Sequence, residues 1–443
     1  MKKLLLFMSA IAFPLFICAA DHVMEATHGA IHIDERQVPA QLSLSVSEAQ
    51  DFAVKQNRTL RNASLAVQEA YAQRWQTIAA MLPTLDASYS YSDMFKYQLD
   101  FGGLPMSMAN TGTFNLTAAV GINGQAVVGA LLNNIAIDMK KIGLEQSESE
   151  LRGNVLSSYV SVLALQSISD LLDSSLVNIE QLLLMTQSAV DAGAAEQTTA
   201  DQIKVRANAI KNNITTQRNA IELAKNALKV LLDVPVHTEI ELTDNLESVL
   251  SGERVVGLLG EDFKIENNLN YQMLSKNVQL AKRNVHMAGW AYGPTLSLAY
   301  QYSDVKKFGD GFGGMSMPHV LNLSVKMPLW SSGKRAAGVV EKKIALEQAK
   351  NTLSETGDQL EIQYQQLRNN LTSAYETYLN ERDNIIVTKR VFASATEKFR
   401  YGTSSSLELT NASNDLINAQ STYVQAMLSL INAQVELEIF LNN

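Results

Sequence analysis

The sequence predicts an α+β membrane protein: a unit of long coiled-coil helices and β-strands, written twice, with four strands per chain. Three observations predict it. The first is an internal repeat at an offset of 211, the kind of self-similarity that must be sought before a fold is assigned. Pro83-Thr84-Leu85 recurs as Pro294-Thr295-Leu296, and Tyr89-Ser90-Tyr91-Ser92-Asp93 as Tyr300-Gln301-Tyr302-Ser303-Asp304. Asn57, Val67 and Ala70 likewise recur as Asn268, Val278 and Ala281. The second is strict apolar/polar alternation in four segments, two per repeat. The third is the absence of proline from Met106 to Val234 and from Leu329 to Asn443, which leaves two long stretches free to be helical.

The first twenty residues read as an address. Lys2 and Lys3 precede an apolar run from Leu4 to Ile17, and Cys18-Ala19-Ala20 offers small residues for cleavage before Asp21. Cys18 raises lipoprotein processing, but bulky Ile17 argues for plain cleavage, which leaves a mature chain without cysteine. Loss of Lys2 and Lys3 takes the formal charge from −9 to −11. So acidic a chain offers no general basic surface for nucleic acid. No later run of eighteen apolar residues marks a spanning helix. Residues 21–43 form a weakly patterned lead-in whose His22, His28 and His32 fix no metal geometry.

The first repeat, 44–235, opens on a helix over 47–81, with Ser47 and Gln50 as its capping box. Strands follow at 84–92 and 113–122. In the first, Leu85, Ala87, Tyr89 and Tyr91 alternate with Thr84, Asp86, Ser88, Ser90 and Ser92. The second repeat, 259–443, has matching strands at 295–304 and 320–329, after a linker at 236–258. One apolar and one polar face mark a strand between two solvents, either a core and water or lipid and a lumen. Tyrosines toward the strand ends suit an interfacial girdle.

Gly-rich loops join the strands. Gly309-x-Gly311-x-x-Gly314 has dinucleotide-fingerprint spacing, yet Pro318 and another strand follow where a helix N-terminus is required, so it is a hairpin loop. Met106-Ser107-Met108 and Met315-Ser316-Met317 read as loop filler before they read as a soft-metal site.

Helices complete each repeat, a long one over 128–191 or 336–400 and a shorter one over 201–233 or 407–441. The last has the clearest heptads. Leu409, Leu416, Tyr423, Leu430 and Leu437 are spaced by seven, as are Ala412, Ala419, Ala426 and Ala433. Each long helix would rise about 97 Å, and two shorter ones end to end would match it, as in a tall cylindrical wall. Four strands cannot close in lipid, because two open edges would leave backbone groups unsatisfied. Closed bacterial barrels start at eight strands, so chains must share one.

Leu44-Ser-Val-Ser-Glu48-Ala49-Gln-Asp-Phe-Ala53-Val-Lys-Gln-Asn57-Arg-Thr-Leu60 resembles the opening motif of TolC-like outer membrane efflux proteins, with Arg58 where proline is usual. Pro328-Leu329-Trp330-Ser-Ser-Gly333-Lys-Arg335 and Tyr401-Gly402-Thr403-Ser404 before Glu408 are similar to further motifs of that family. The resemblance implies a homotrimer with a twelve-stranded outer-membrane barrel in lipid and a periplasmic α-helical tunnel, the 236–258 linker lying at its equator. It also implies a periplasmic adaptor (membrane fusion) protein and an inner-membrane RND or ABC pump as partners. No cofactor, no metal and no chemistry of the chain's own are implied.

The resemblance locates a gate as well. The turns at 191–200, with Gly193, and 400–406, with Gly402, Thr403 and Ser404, would form the periplasmic tip and adaptor contact. Glu408 stands where the family places its first ring carboxylate, Asn411 where some members have a second, and Asp201 is the first-half counterpart. Positions 408, 411, 415, 418, 422 and 425 read Glu, Asn, Asp, Asn, Thr and Gln at helical spacing, so Asp415 joins the candidates. The residues alone fit a lumen and a solvated helix face equally; the resemblance favours the lumen, where rings of carboxylate favour cations. The remaining readings are a type I protein-secretion duct and, in another class, a structural periplasmic coiled-coil protein. Catalytic motifs are absent from the sequence, and His237, His286 and His319 stand in unrelated contexts.

Overall fold

The computed structural model describes residues 41–93, 95, 98–102, 104–193, 196–249, 252–310, 317–401 and 403–441. The signal peptide with Cys18, the lead-in to residue 40, Gly402, and the 311–316 part of the second loop lie outside them. The elements in order are β1 (Gln41–Leu44), α1 (Val46–Gln56), α2 (Arg58–Ala79), β2 (Thr84–Ser92), β3 (Gln98–Phe101), β4 (Leu104–Ser107) and β5 (Asn110–Asn123). Then come α3 (Gly124–Asp191), α4 (Gln197–Leu232), β6 (Glu239–Leu242), α5 (Leu246–Val249), α6 (Gly252–Leu259) and α7 (Leu269–Gly289). The chain ends with β7 (Thr295–Phe308), β8 (His319–Lys326), α8 (Lys334–Arg400) and α9 (Ser406–Leu441). Contacts divide the chain into two units.

One unit contains Leu65–Lys141 and Met273–Ser354. Its centre is a four-stranded antiparallel sheet in the order β2-β5-β7-β8. The two inner strands come from different repeats and pair along their whole length, from Asn110↔Phe308 to Asn123↔Thr295. The duplication is thus stitched together by its longest ladder. Strand β8 stops at Lys326, short of the 320–329 span that alternation suggests. Pro328 has no N–H for a ladder, and its carbonyl instead accepts from Arg335 Nη1 at 2.6 Å. The Arg335 guanidinium also lies 4.8 Å from the Tyr292 ring centre, pinning the elbow between strand and helix. At the other elbow Trp290 packs on Gly124 so closely that a Cβ there would overlap the indole. After β2, strands β3 and β4 pair as a hairpin, Gln98↔Ser107 to Phe101↔Leu104.

The other unit contains the described residues up to Ser64, Ile142–Gln272 and the chain from Glu355 onward. Here β1 and β6 form a parallel pair, Gln41↔Glu239 to Leu44↔Leu242, so the 236–258 segment is structured rather than a plain linker. The capping box lies two residues before the expected one. Ser45, in extended conformation as it leaves β1, accepts from the Glu48 N–H, and Glu48 Oε2 accepts from Ser45 N at 2.9 Å. The donated Ser45 N–H and hydroxyl hold the Glu48 carboxyl below its usual range.

The helix expected over 47–81 is broken at Asn57, for a reason the second repeat reproduces. Asn57 Oδ1 accepts from Thr59 N at 2.8 Å and caps α2, while its Nδ2 donates to Leu231 O at 2.9 Å. Asn268 Oδ1 accepts from Asn270 N at 3.0 Å and caps α7, while its Nδ2 donates to Phe440 O at 3.0 Å. The backbone angles agree as well, φ −62°, ψ 127° against φ −68°, ψ 126°. Each asparagine is a buried clip holding the last turn of α4 or α9 to the start of an earlier helix. Asn268→Ala would leave the Phe440 carbonyl without that donor and is expected to cost about 1–3 kcal/mol. A urea midpoint equal to that of the parent protein would remove the clip from the account.

Three apolar cores hold this unit. Leu44, Ile240, Ala53, Tyr159, Leu228 and Met427 share one, closed by a Tyr159 Oη–H donated to Leu44 O at 2.8 Å. A second joins α3, α4, α8 and α9 through Leu172, Ile179, Ile203, Ile210, Ala395 and Leu409. In the third, Val255 and Leu258 of α6 meet Leu360 and Leu371 of α8 and Leu430 and Leu437 of α9. The leucine–alanine seam of α9 is therefore packed, and so is a second side, where a Cβ added to Gly153 would lie 2.9 Å from Val435 Cγ1 and overlap Ile439. By length and composition α3 and α9 each contain a window apolar enough to cross a membrane, although polar residues interrupt both. In α9, 67% of that window is buried within the protein, so packing accounts for most of its apolar content.

Candidate functional site

Two surfaces and one groove carry the functional geometry. The first surface is a face of the four-stranded sheet. Directly opposed residues share a face, so the ladders assemble rows across all four strands. Leu85, Ala118, Tyr300 and Leu321 form one row, and Ala87, Leu116, Tyr302 and His319 the next. Val120, Leu298 and Leu323, then Ile122, Leu296 and Val325, extend the face toward the helices. On this face Leu85, Leu296, Leu298, Leu321, Leu323 and Val325 are exposed, Leu85 at 68% and Leu323 at 72%, while Leu116, Ala118, Val120, Tyr300 and Tyr302 are half-buried. From Ile122 to Phe114 the band measures about 27 Å along the strand. Tyr89, Tyr91 and Phe308 stand at one end of the sheet and Trp290 and Trp330 at the other. His319 Nδ1 lies 2.8 Å from the Tyr300 hydroxyl, which pairs two polar groups on this face.

The opposite face reads Thr84, Ala119, Ala299 and Asn322, then Asp86, Thr117, Gln301 and Val320, then Ser88, Asn115 and Ser303. One sheet thus presents an uncovered apolar band to one side and a polar wall to the other. Its outer strands β2 and β8 each pair on one side only, among the described residues. Such edges leave rows of N–H and C=O groups that hydrocarbon cannot satisfy.

The second surface is a stripe on α9. Glu408, Asn411, Asp415, Asn418, Thr422 and Gln425 are all exposed, and Ser429, Asn432 and Glu436 continue the line. Buried Leu409, Ala412, Ala426 and Leu430 each follow a stripe residue by one, about 100° round the helix, so the packed side adjoins the stripe. Asp201 is exposed near the start of α4, where Gln197 Nε2 donates to its Oδ1 at 3.1 Å. In the α3–α4 turn, Gly193 takes the left-handed conformation (φ +70°) that glycine adopts without strain. In the α8–α9 turn, the Thr403 N–H and hydroxyl both donate to Lys398 O, at 2.9 and 3.0 Å. The Ser404 hydroxyl donates to Glu408 Oε2 at 2.7 Å, and the Glu408 N–H to Ser405 Oγ at 3.2 Å.

The groove lies between α8 and α9 beside that turn, with a volume of about 710 Å³. Glu408, Asn411 and Asp415 line it from α9 and Arg390, Ser394 and Lys398 from α8, together with Val391, Ala395 and Ala412. The structure brings three of the four candidate lumen residues together; Asp201 does not line this groove. Sequence reasoning missed Arg390 and Lys398, although their spacing of eight puts them on one side of α8. It also missed Arg206 of α4, whose Nη1 donates to Asn414 Oδ1 of α9.

Residues 264–443 match the family described as outer membrane efflux protein. The chain is 21% identical over 408 residues to the solvent efflux pump outer membrane protein SrpC of Pseudomonas putida, covering 87% of this chain and 83% of SrpC. Among solved structures it resembles the outer membrane protein VceC of Vibrio cholerae, with a TM-score of 0.72 at 16% identity over 90% of this chain and 96% of VceC. It is similar also to the open-state MtrE outer membrane channel of Neisseria gonorrhoeae, with a TM-score of 0.73 at 16% identity over 90% and 89%. Residues 264–443 thus resemble the outer membrane efflux protein family in sequence, and the chain shares the fold of solved outer membrane channels over nine-tenths of its length.

Proposed function

We propose that three copies of this chain form the exit duct of a tripartite efflux system, passively conducting cargo from an inner-membrane pump to the exterior. The observation that carries the reading is the two-faced sheet with two open edges. Pairing β8 of one copy with β2 of the next satisfies both edges and gives twelve strands from three copies. The apolar band then faces outer-membrane lipid, near the roughly 25 Å expected of such a band, and the polar face lines water. Residues 1–20 direct export and are removed before Asp21, without lipidation at Cys18.

In this reading the helices build a periplasmic tunnel whose wall is the α9 stripe. Asparagine, threonine and glutamine along it offer water-like hydrogen bonding without a run of charge. Glu408, Asn411 and Asp415 lie at its turn end, with Asp201 on α4, as the narrowest part of the duct. The turns with Gly193, Gly402, Thr403 and Ser404 meet the periplasmic adaptor, which links the duct to an RND or ABC pump. The solvent cargo in SrpC's name supports small-molecule efflux over protein secretion.

Glu408→Gln is expected to lower the cation-to-anion permeability ratio of the purified protein in planar bilayers, because it removes one carboxylate per subunit from the constriction. An unchanged ratio would take Glu408 out of the pore. A protein that conducts nothing would favour a structural coiled coil.

A further inference from the structure

Arg390 and Lys398 stand across the α8–α9 groove from Glu408 and Asp415. Two cations and two carboxylates therefore line one space. Among the described residues Arg390, Lys398 and Asp415 make no ion pair with one another or with Glu408, so none of the four charges is neutralised by a direct partner in the groove. All four residues are exposed to the same water. Screening at physiological salt acts over about 8 Å, so charges lining one groove share its field even without contact.

We infer that Arg390 and Lys398 are specificity-determining residues of the duct, offsetting the carboxylates so that its narrow end discriminates little by charge. The inference rests on the reading of the α9 stripe as pore wall. It also revises the expectation that carboxylate rings make this tip cation-selective: in the groove each chain sets two cations of α8 against the two carboxylates of α9, so that Asp201 of α4 is the one constriction carboxylate outside the groove. A duct of this kind would admit cationic, neutral and anionic cargo alike, leaving selection to the pump.

The test is the permeability ratio of the purified full-length protein in planar bilayers bathed in asymmetric KCl. The variants are Arg390→Gln/Lys398→Gln, Glu408→Gln, and Lys343→Gln as an exposed lysine of α8 outside the groove. The double variant is expected to raise cation preference at least about twofold, with Glu408→Gln lowering it and Lys343→Gln leaving it in place. If Glu408→Gln shifts the ratio and the double variant does not, the inference falls while the pore-wall reading stands. If Lys343→Gln shifts it as much as the double variant, the effect belongs to overall charge and the inference again falls. If no variant shifts it, the stripe is not the pore wall and both fall together. All four side chains are exposed, so folding is not at stake, and an unchanged mass in detergent verifies it.

Discussion

Leu298→Arg is expected to cost about 2–4 kcal/mol, enough to keep the protein from accumulating in the outer membrane. Leu298 lies in the row with Val120 and Leu323, inside the apolar band and one row from its middle. An arginine there would have to stay charged in hydrocarbon. Ser297, one residue earlier, faces the other way and pairs with Gly121 and Ser324. Ser297→Arg should be tolerated in water, within about 0.5 kcal/mol of the parent protein. The checks are outer-membrane yield and the urea midpoint in lipid vesicles for the two variants side by side. Equal behaviour would mean that the faces do not meet different solvents.

Leu430→Ala is the second large effect, at about 2–5 kcal/mol. Leu430 is fully buried where α9 meets α6 and α8. Asn432, two residues on, is exposed on the polar stripe, and Asn432→Ala should change stability by less than about 0.5 kcal/mol. Urea unfolding of both variants separates seam from stripe. A comparable loss from Asn432→Ala would mean that the stripe is packed against something.

Those contrasts were legible in the sequence because they rest on periodicity. Alternation over nine residues gives Thr84–Ser92 its faces, and spacing by seven gives α9 its seam and, beside it, its polar line. Short elements leave no such trace. The four-residue strands β1, β3, β4 and β6 contain too few alternations to be read, and β1 with β6 depends on partners about 198 residues apart. The break at Asn57 was hidden for a different reason: the apolar pattern runs on through it, and only a side chain clipped to the distant Leu231 carbonyl ends the helix there.

The candidate site was half legible. Glu408, Asn411 and Asp415 follow one helical line, so their common exposure could be anticipated. Their facing cations could not. Helix α8 is exposed around much of its circumference near its end, with Lys389, Arg390, Glu397 and Lys398 close together, so spacing on α8 alone does not single out two of them. Only the fold, which sets α8 beside α9 across the turn, puts Arg390 and Lys398 opposite the carboxylates.

The shared barrel is the central claim, and the most direct measurement is the mass of the mature protein extracted from the outer-membrane fraction in detergent, corrected for bound detergent. The account predicts three chains, with no monomer until the protein is denatured. A monomer that fractionates with soluble periplasmic proteins would contradict it, and would remove the closed barrel, the tunnel and the Glu408 constriction together.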